Sequence, residues 1–212
     1  TTRDLLRLLA WLAGHGVTHV AMEATGVYWK PVWHMLEGHV TLLLGKASEI
    51  KNVPGRKTDV KDAVWIADLL AHGLIRASFV PPEPIQELRD LTRTRKQLVA
   101  ERTQHVQRLQ KVLEDANVKL AGVLTDILGA SGRAMLDALA AGVQDPVQLA
   151  QLAHGRVRAS RAALAEALEG RVRAHHRFLL RLHLRQIDAL DGSITDVEAR
   201  VEELLVPFAP AV

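Results

Sequence analysis

The 212-residue sequence contains no cysteine. This absence excludes disulfide bonds, thiol nucleophiles and zinc sites built from thiolates, so any bound metal must use oxygen or imidazole ligands. No apolar run approaches the ~20 residues that a membrane-spanning helix needs. The first residues also lack the basic-then-apolar order of a secretion signal. We therefore expect a soluble, cytoplasmic protein that has no membrane partner.

An excess of charge is also lacking, since 27 Lys and Arg face 24 Asp and Glu, but the charge is unevenly distributed. Residues 86–111 hold seven basic and three acidic residues, and residues 156–185 hold eight arginines and two glutamates. Residues 186–212 hold six acids and one arginine. The planar guanidinium of arginine suits phosphate oxygens. The basic stretches therefore indicate either nucleic-acid binding or solvated helix faces with local ion pairs. Composition alone does not distinguish these two interpretations.

Helix and strand patterns alternate over the first 80 residues. Buried strands are predicted over 17–22 and 40–44, and a helix over 28–36. Two further helices carry apolar stripes, one ending at Gly14 and one running from Asp59 to Gly73. The stripe residues that we expect to face the core are Leu5, Leu6, Leu8, Leu9 and Leu12 in the first helix and Ala63, Val64, Ile66, Ala67 and Leu70 in the second. This alternation predicts a layered α/β domain.

From Pro81 onward the strand signal disappears, and the PPEP segment marks a boundary. A long helix is predicted over 85–115, where Arg95, Arg102 and His105 interrupt an apolar stripe. A stripe interrupted in this way packs imperfectly or faces something anionic.

The final helix, predicted over 171–205, has a regular apolar seam. Ile187, Ile194 and Val201 occupy one heptad position, and a leucine or valine follows each of them three residues later. This pattern predicts a coiled coil, or an antiparallel pair with the 85–115 helix.

Three carboxylates form the candidate site. Glu23 ends a predicted strand, where side chains of open α/β sheets reach the ligand crevice. Asp59 and Asp62 lie three residues apart at a helix start, so they project from one side. Such carboxylates suit Mg²⁺, and the neighbouring cations Arg56, Lys57 and Lys61 would attract an anionic substrate.

Structural roles for these acids remain open at this point. Asp59 and Asp62 also fit an N-cap and a residue that reaches back to it. Glu23 also fits a strand-end acid that pairs with a lysine.

Three segments, taken in order, resemble the DEDD-type insertion-sequence transposases, which are recombinases guided by a bridge RNA. These segments are MEATGVYWKPVW around Glu23, NVPGRKTDVKDAVWIADLLAHGLI around Asp59 and Asp62, and ELRDLTRTRKQLVAERTQHVQRLQKVLEDANVKL. The resemblance implies a RuvC-like, RNase H-type catalytic domain, a basic helical segment, a coiled coil and a separate domain that bears a nucleophilic serine. It also implies four acids, in the order Asp, Glu, Asp, Asp, that bind Mg²⁺. Glu23 would be the second acid, Asp59 the third and Asp62 the fourth.

The resemblance sets the expected organisation, which is α/β followed by all-α. Residues 1–80 would form a partial RuvC-like domain that lacks its first strands, 81–170 a basic helical segment, and 171–206 a coiled-coil helix. The first Asp has no counterpart, and Ser131, Ser160 and Ser193 match no nucleophile motif. We therefore expect a chain truncated at both ends that keeps its fold and nucleic-acid affinity but does not cleave strands alone.

The expected partners are donor and target DNA, a bridge RNA, and further copies of the chain through the coiled coil. The residues expected to contact nucleic acid are Arg56, Lys57, Lys61, Arg93, Arg95, Lys96 and Arg102. Two other functions remain as alternatives. One is a RuvC-like nuclease that uses metal-activated water, and the other is a non-catalytic helical scaffold that binds RNA or DNA.

Aromatic and histidine residues give weaker indications. Tyr28, Trp29 and Trp33 could stack on unpaired bases. We expect Trp33 in the core and leave Trp29 open. His175 and His176, with His183 one heptad later, are expected to contact phosphate or solvent rather than a metal, because adjacent histidines diverge on a helix.

Overall fold

The structure is a computed structural model that describes residues 1–52, 62–155 and 157–211, the last three of these by backbone alone. It divides into two compact units, Thr1–Pro82 and Glu83–Val212. Each unit is described by itself below.

The described part of the first unit alternates helices and strands. Its elements are α1 (Thr2–Gly14), β1 (His19–Glu23), α2 (Trp29–Leu36), β2 (Thr41–Gly45), α3 (Ala47–Asn52) and α4 (Asp62–Ala71). Thr1 and Asp4 form a capping box that starts α1. The strands β1 and β2 pair in parallel, from His19 opposite Thr41 to Glu23 opposite Gly45. The connecting helix α2 makes this a βαβ unit, as the alternating pattern predicts.

The core of this unit differs from the predicted stripes. In α1, Leu12 is buried, whereas Leu6 and Leu8 are exposed. In α4, the buried residue is Leu69, which lies outside the predicted stripe, and Val64 is 68% exposed. The prediction that Leu6, Leu8 and Val64 face the core was wrong, because α4 directs Leu69 rather than Val64 towards the buried residues Ile50 and Ile75, and α1 buries Leu12.

The aromatic residues in and next to α2 differ in how deeply they are buried. Trp33 is buried, which confirms the prediction that it belongs to the core. Trp29 is half-buried and packs edge-on against Trp33, with 5.8 Å between ring centroids. The preceding Tyr28 is 80% exposed.

The second unit is helical throughout its described residues. Its elements are α5 (Glu83–Asp115), α6 (Leu120–Val123), α7 (Ala130–Ala141), α8 (Pro146–Gln151), α9 (Arg161–Leu168), α10 (Ala174–Leu205) and a 3₁₀ helix (Val206–Ala211). Asp145 and Ser160 cap α8 and α9, and Gly142, in the left-handed conformation, ends α7. The core packs the carboxyl-terminal part of α5 against α7, α8, α9 and the first half of α10.

The long helices α5 and α10 pack side by side in antiparallel directions. Asp115 contacts His176 near one end of the pair, and Arg95 contacts Glu198 near the other. The antiparallel helix pair, one of the two arrangements that the heptad pattern allows, is therefore present within the chain. Its seam is buried at Ile187, where the core of the second unit ends, but only half-buried from Leu190 to Leu204.

No helix among the described residues is both long and apolar enough to cross a membrane.

Candidate functional site

Glu23 is the last residue of β1, as the sequence predicts for a strand-end acid. Its backbone lies opposite Gly45 at the end of β2, and its side chain is half-buried. The hydroxyl of Thr25 donates a hydrogen bond of 3.0 Å to Glu23 Oε1. This bond fixes the orientation of the carboxylate, whose oxygens are acceptors when it is ionised.

A groove of about 540 Å³ runs beside β1 and contains Glu23 in its wall. One side is formed by Trp11 and Leu12 of α1. The other side is formed by the α4 residues Ala63, Ile66, Ala67 and Leu70, four of the five predicted stripe residues. Ile66 and Leu70 also pack against the buried cluster of the unit, as predicted for core-facing residues, whereas Ala63 and Ala67 are exposed in the groove wall.

Asp62 is the first residue of α4 and directly precedes the groove residue Ala63. Its side chain is half-buried, and its Oδ1 atom is buried. The carboxyl end of β1 and the amino end of α4 thus border one groove, which puts Glu23 and the start of the Asp62 helix on the same side of the unit. The other predicted residues here, Asp59, Arg56, Lys57 and Lys61, lie outside the described residues.

Comparison with known protein families matches residues 1–118 to the DEDD transposases of the IS110 type, a family described as transposase. The chain belongs to this family. The match spans all three predicted acids and continues through α5. No curated protein matches the chain. Membership in a transposase family makes DNA the partner of this chain.

Several residues of this transposase-family chain were predicted to contact nucleic acid. Those that the structure describes lie on α5. Arg93, Arg95 and Lys96 are exposed, and Arg93 lies 3.6 Å from Asp90. Arg95 donates a 2.7 Å hydrogen bond to Glu198, and Arg102 pairs with Asp191 through two guanidinium nitrogens. Two of these four cationic side chains are therefore paired with acidic residues of α10.

These pairs explain the interruptions in the α5 stripe. Arg95 and Arg102 face Glu198 and Asp191, and His105 lies 3.2 Å from His183 between their Nδ1 atoms. The sequence predicts that an interrupted stripe can face something anionic. Within this transposase-family chain, α10 supplies that anionic surface.

One cluster was missed by the sequence reasoning. Ligand atoms of Asp115, His175 and His176 lie within 4.8 Å of one another, and the two imidazole rings are 3.9 Å apart. The expectation that the adjacent rings diverge was wrong. The expectation that His176 contacts phosphate or solvent was also wrong, because the pairing of α5 with α10 buries its ring and brings Asp115 to it. Because Asp115 and the two histidines are far apart in the sequence, local patterns do not reveal this contact.

The hydrogen bonds of His176 assign this cluster a structural role. The Arg173 backbone N–H donates to Nδ1, so the ring proton lies on Nε2 and is donated to Asp115 over 2.6 Å. A metal at Nε2 would require the opposite tautomer and would leave two donors facing each other at Nδ1. The hydrogen bond from His176 lowers the pKa of Asp115.

The three serines considered as nucleophiles have local structural roles. Ser131 donates to the His154 carbonyl oxygen and accepts from its N–H, and Ser160 caps α9. Ser193 donates to the Ala189 carbonyl oxygen within α10. Each hydroxyl therefore has a backbone partner.

Proposed function

We propose that the chain acts in Mg²⁺-dependent, RNA-guided cleavage and rejoining of DNA strands, with Glu23, Asp59 and Asp62 as metal ligands. The observation that supports this most is that Glu23 and the start of α4 border one groove within a segment that matches a transposase family. Carboxylates that come from a strand end and a helix start can share one cation.

The donor set fits a hard cation. Glu23 offers carboxylate oxygens that Thr25 orients, and Asp62 offers a carboxylate with one buried oxygen. Mg²⁺ binds proteins through a few carboxylates and completes its shell with water and substrate phosphate. When bound, the ion would stabilise negative charge at the scissile phosphate. The contribution of the protein is to hold these oxygens on rigid elements.

The proposed nucleic-acid contacts fall into two groups. Arg56, Lys57 and Lys61 neighbour the aspartates in sequence and would hold the strand near the metal. On α5, Arg93 and Lys96 are the primary candidates, because Arg95 and Arg102 are held by α10. Contacts of these side chains with phosphates would position the nucleic acid without specifying its sequence.

Binding of Mn²⁺, followed by electron paramagnetic resonance, tests the metal site independently of activity. We expect Glu23→Gln and Asp62→Asn each to weaken binding at least about tenfold, because even groups that only support ligands have effects of this size. Glu37→Gln is the control, since Glu37 is an exposed acid of the same unit. Equal binding by all four proteins would contradict the proposed ligands.

A covalent bond between protein and DNA distinguishes the proposed function from that of a hydrolytic nuclease. Strand rejoining through a protein nucleophile passes through a covalent protein–DNA species, whereas attack by metal-activated water does not. Denaturing gels detect that species in DNA-incubated protein that also carries the serine-bearing domain implied by the family resemblance. DNA binding that ignores Mg²⁺ and survives Glu23→Gln together with Asp62→Asn would support the scaffold alternative instead.

Self-association through the α5–α10 pair is part of the proposal. The half-buried seam from Leu190 to Leu204 leaves apolar surface that a second copy can cover. We expect Leu190→Glu with Ile194→Glu to reduce the oligomer mass measured by light scattering, since a charge at a seam position disfavours helix association. If the mass is unchanged while the thermal stability falls, the seam serves only the intramolecular pair.

A further inference from the structure

A groove of about 530 Å³ lies between α7 and α10, in the second unit. Its α10 side presents Phe178, Arg181 and Arg185, which are three and four residues apart and therefore share one helix face. Its α7 side presents Arg133 and Asp137. The volume falls within the range of about 300–1,000 Å³ that is common for small-ligand sites.

Phe178 is unusual in this wall because it is an aromatic side chain that is 58% exposed. The neighbouring core residues Leu180 and Leu184 are buried, so α10 already has an apolar face that packs against the bundle. Phe178 belongs instead to the groove, where its ring adjoins two arginines. An exposed ring beside cations is the combination that binds unpaired bases and their phosphates.

The three arginines of the groove have different partners. Arg133 donates to both Asp188 and Asp137, and these hydrogen bonds raise its pKa. Arg181 donates to the Ala140 carbonyl oxygen over 2.7 Å. Arg185 is exposed, and no described residue accepts a hydrogen bond from it or pairs with it.

The charge of the groove therefore favours an anion. Its two neighbouring carboxylates, Asp137 and Asp188, are both bound by Arg133. Arg181 is bound only to a neutral carbonyl group, and Arg185 remains available. The three arginines exceed these two carboxylates by one positive charge. Because a neutral hydrogen bond does not cancel a full charge, this excess lies at Arg181 and Arg185, next to the ring of Phe178.

We propose that this groove binds one unpaired nucleotide of a single-stranded nucleic acid, with the base stacked on Phe178 and the phosphate held by Arg185. Arg181, fixed by the Ala140 carbonyl oxygen, adds positive charge. Phe178 has no hydrogen-bonding group, so the contact tolerates any base. In a duplex the base faces are covered by stacking, so the groove discriminates single strands from duplexes. The inference rests on the nucleic-acid part of the proposed function and not on the metal.

The test is fluorescence anisotropy of labelled single-stranded RNA, single-stranded DNA, duplex DNA and an abasic strand of equal length, measured in EDTA. We expect Phe178→Ala to weaken single-strand binding about tenfold, the size of one lost stacking contact. It should leave duplex and abasic-strand binding unchanged, and Phe178→Trp should restore the affinity. Arg185→Ala should weaken binding of all four probes.

Lys111→Ala is the matched control, because it removes one positive charge at an exposed position of the second unit outside the groove, and Lys111, like Arg185, has no ion-pair partner among the described residues. An equal loss with Lys111→Ala and Arg185→Ala would overturn the phosphate contact. An equal loss of single-strand and abasic-strand affinity with Phe178→Ala would overturn the stacking contact. Phe178 is exposed, so circular dichroism should show that the variant remains folded.

Two further outcomes separate this proposal from the proposed function. If the unmodified protein binds single strands and the groove variants bind equally well, the groove proposal fails and the metal site is unaffected. If the unmodified protein binds no nucleic acid, both fail. If the variants bind nucleic acid normally but change the oligomer mass, the groove is an interface between copies and not a nucleotide site.

Discussion

Paired side chains along α5 and α10 fix how these helices meet. Arg102 and Asp191 form a two-nitrogen guanidinium–carboxylate contact at a position where a heptad pattern favours an apolar residue. Polar residues in a seam specify register and orientation, often at some cost in stability. A register shifted by one heptad would leave either Arg95 or Arg102 opposite a leucine, so the pairs with Glu198 and Asp191 together favour the observed alignment.

A double-mutant cycle measures the strength of this contact. We expect Arg102→Ala and Asp191→Ala to show a coupling free energy of about 0.5–1 kcal/mol in urea unfolding, the upper part of the range for partly exposed pairs. The exposed pair of Arg200 and Glu203 is the control, and its coupling should be at most about 0.5 kcal/mol. Coupling no larger than in the control would show that the pair does not hold the register.

The pair formed by Arg133 and Asp188 predicts a pH dependence of stability. Hydrogen bonds from Arg133 lower the pKa of Asp188 below its ordinary value of 3.8. A carboxylate with a lowered pKa in the folded state stabilises the protein above the ordinary pKa, and this stabilisation is lost as the pH falls through the lowered value. The stability difference between the unmodified protein and Asp188→Asn should therefore be constant near neutral pH and shrink below 3.8.

Urea unfolding at several pH values checks this expectation. Asp196→Asn is a suitable control, because Asp196 is an exposed aspartate of the same helix. A difference for Asp188→Asn that persists unchanged to pH 2 would contradict an ionic origin for the pairing.

At the scale of elements, one glycine decides how α7 begins. A Cβ atom at Gly132 would lie 2.3 Å from the backbone carbonyl oxygen of Ile127. Backbone atoms cannot move aside as a flexible side chain can, so this close approach requires glycine. At Gly192 in α10, by contrast, the Cβ position meets no heavy atom within 4 Å apart from its chain neighbours and the backbone of its own helix.

The two glycines therefore predict opposite effects of alanine. Gly132→Ala should lower the free energy of unfolding by about 1–3 kcal/mol, the range for overpacking. Gly192→Ala should raise it by about 0.5–1 kcal/mol, because alanine is the better helix former. Thermal unfolding followed by circular dichroism distinguishes them, and a stabilised Gly132→Ala variant would mean that α7 can shift away from Ile127.

At the scale of the whole molecule, the basic stretches are only partly available to a ligand. The acidic face of α10 binds Arg95 and Arg102, whereas Arg93, Lys96 and Arg185 have no partner on another helix among the described residues. The net charge of +3 therefore does not describe the local surface, because some cationic side chains are paired with acids and others are not.

The salt dependence of DNA binding should report the available cations. Its log–log slope is about −0.9 per neutralised phosphate on duplex DNA. We expect Arg93→Ala and Lys96→Ala each to make the slope less steep by about one such increment, and Arg95→Ala to change it less, because Glu198 already compensates that charge. A flat salt response in the unmodified protein would remove the electrostatic basis of binding.

The sequence alone determined the order of the main elements, because local periodicity and helix ends are properties of short segments. The strands around 17–22 and 40–44, the helix ending at Gly14 and the long helix over 85–115 follow from apolar spacing. Sequence motifs also led to the transposase family, which the match over residues 1–118 shows. The position of Glu23 at the end of a strand was likewise predicted from a short segment of the sequence.

Only the tertiary structure decided which surfaces meet. Periodicity identified an apolar stripe in α4 but not that four of its residues line a groove beside Glu23. It identified Arg102 as an interruption but not Asp191 as its partner, 89 residues away. The nearness of Asp115 to His176 is likewise set by the pairing of α5 with α10. Such contacts depend on how helices pack, and packing is a property of side chains that are distant in sequence.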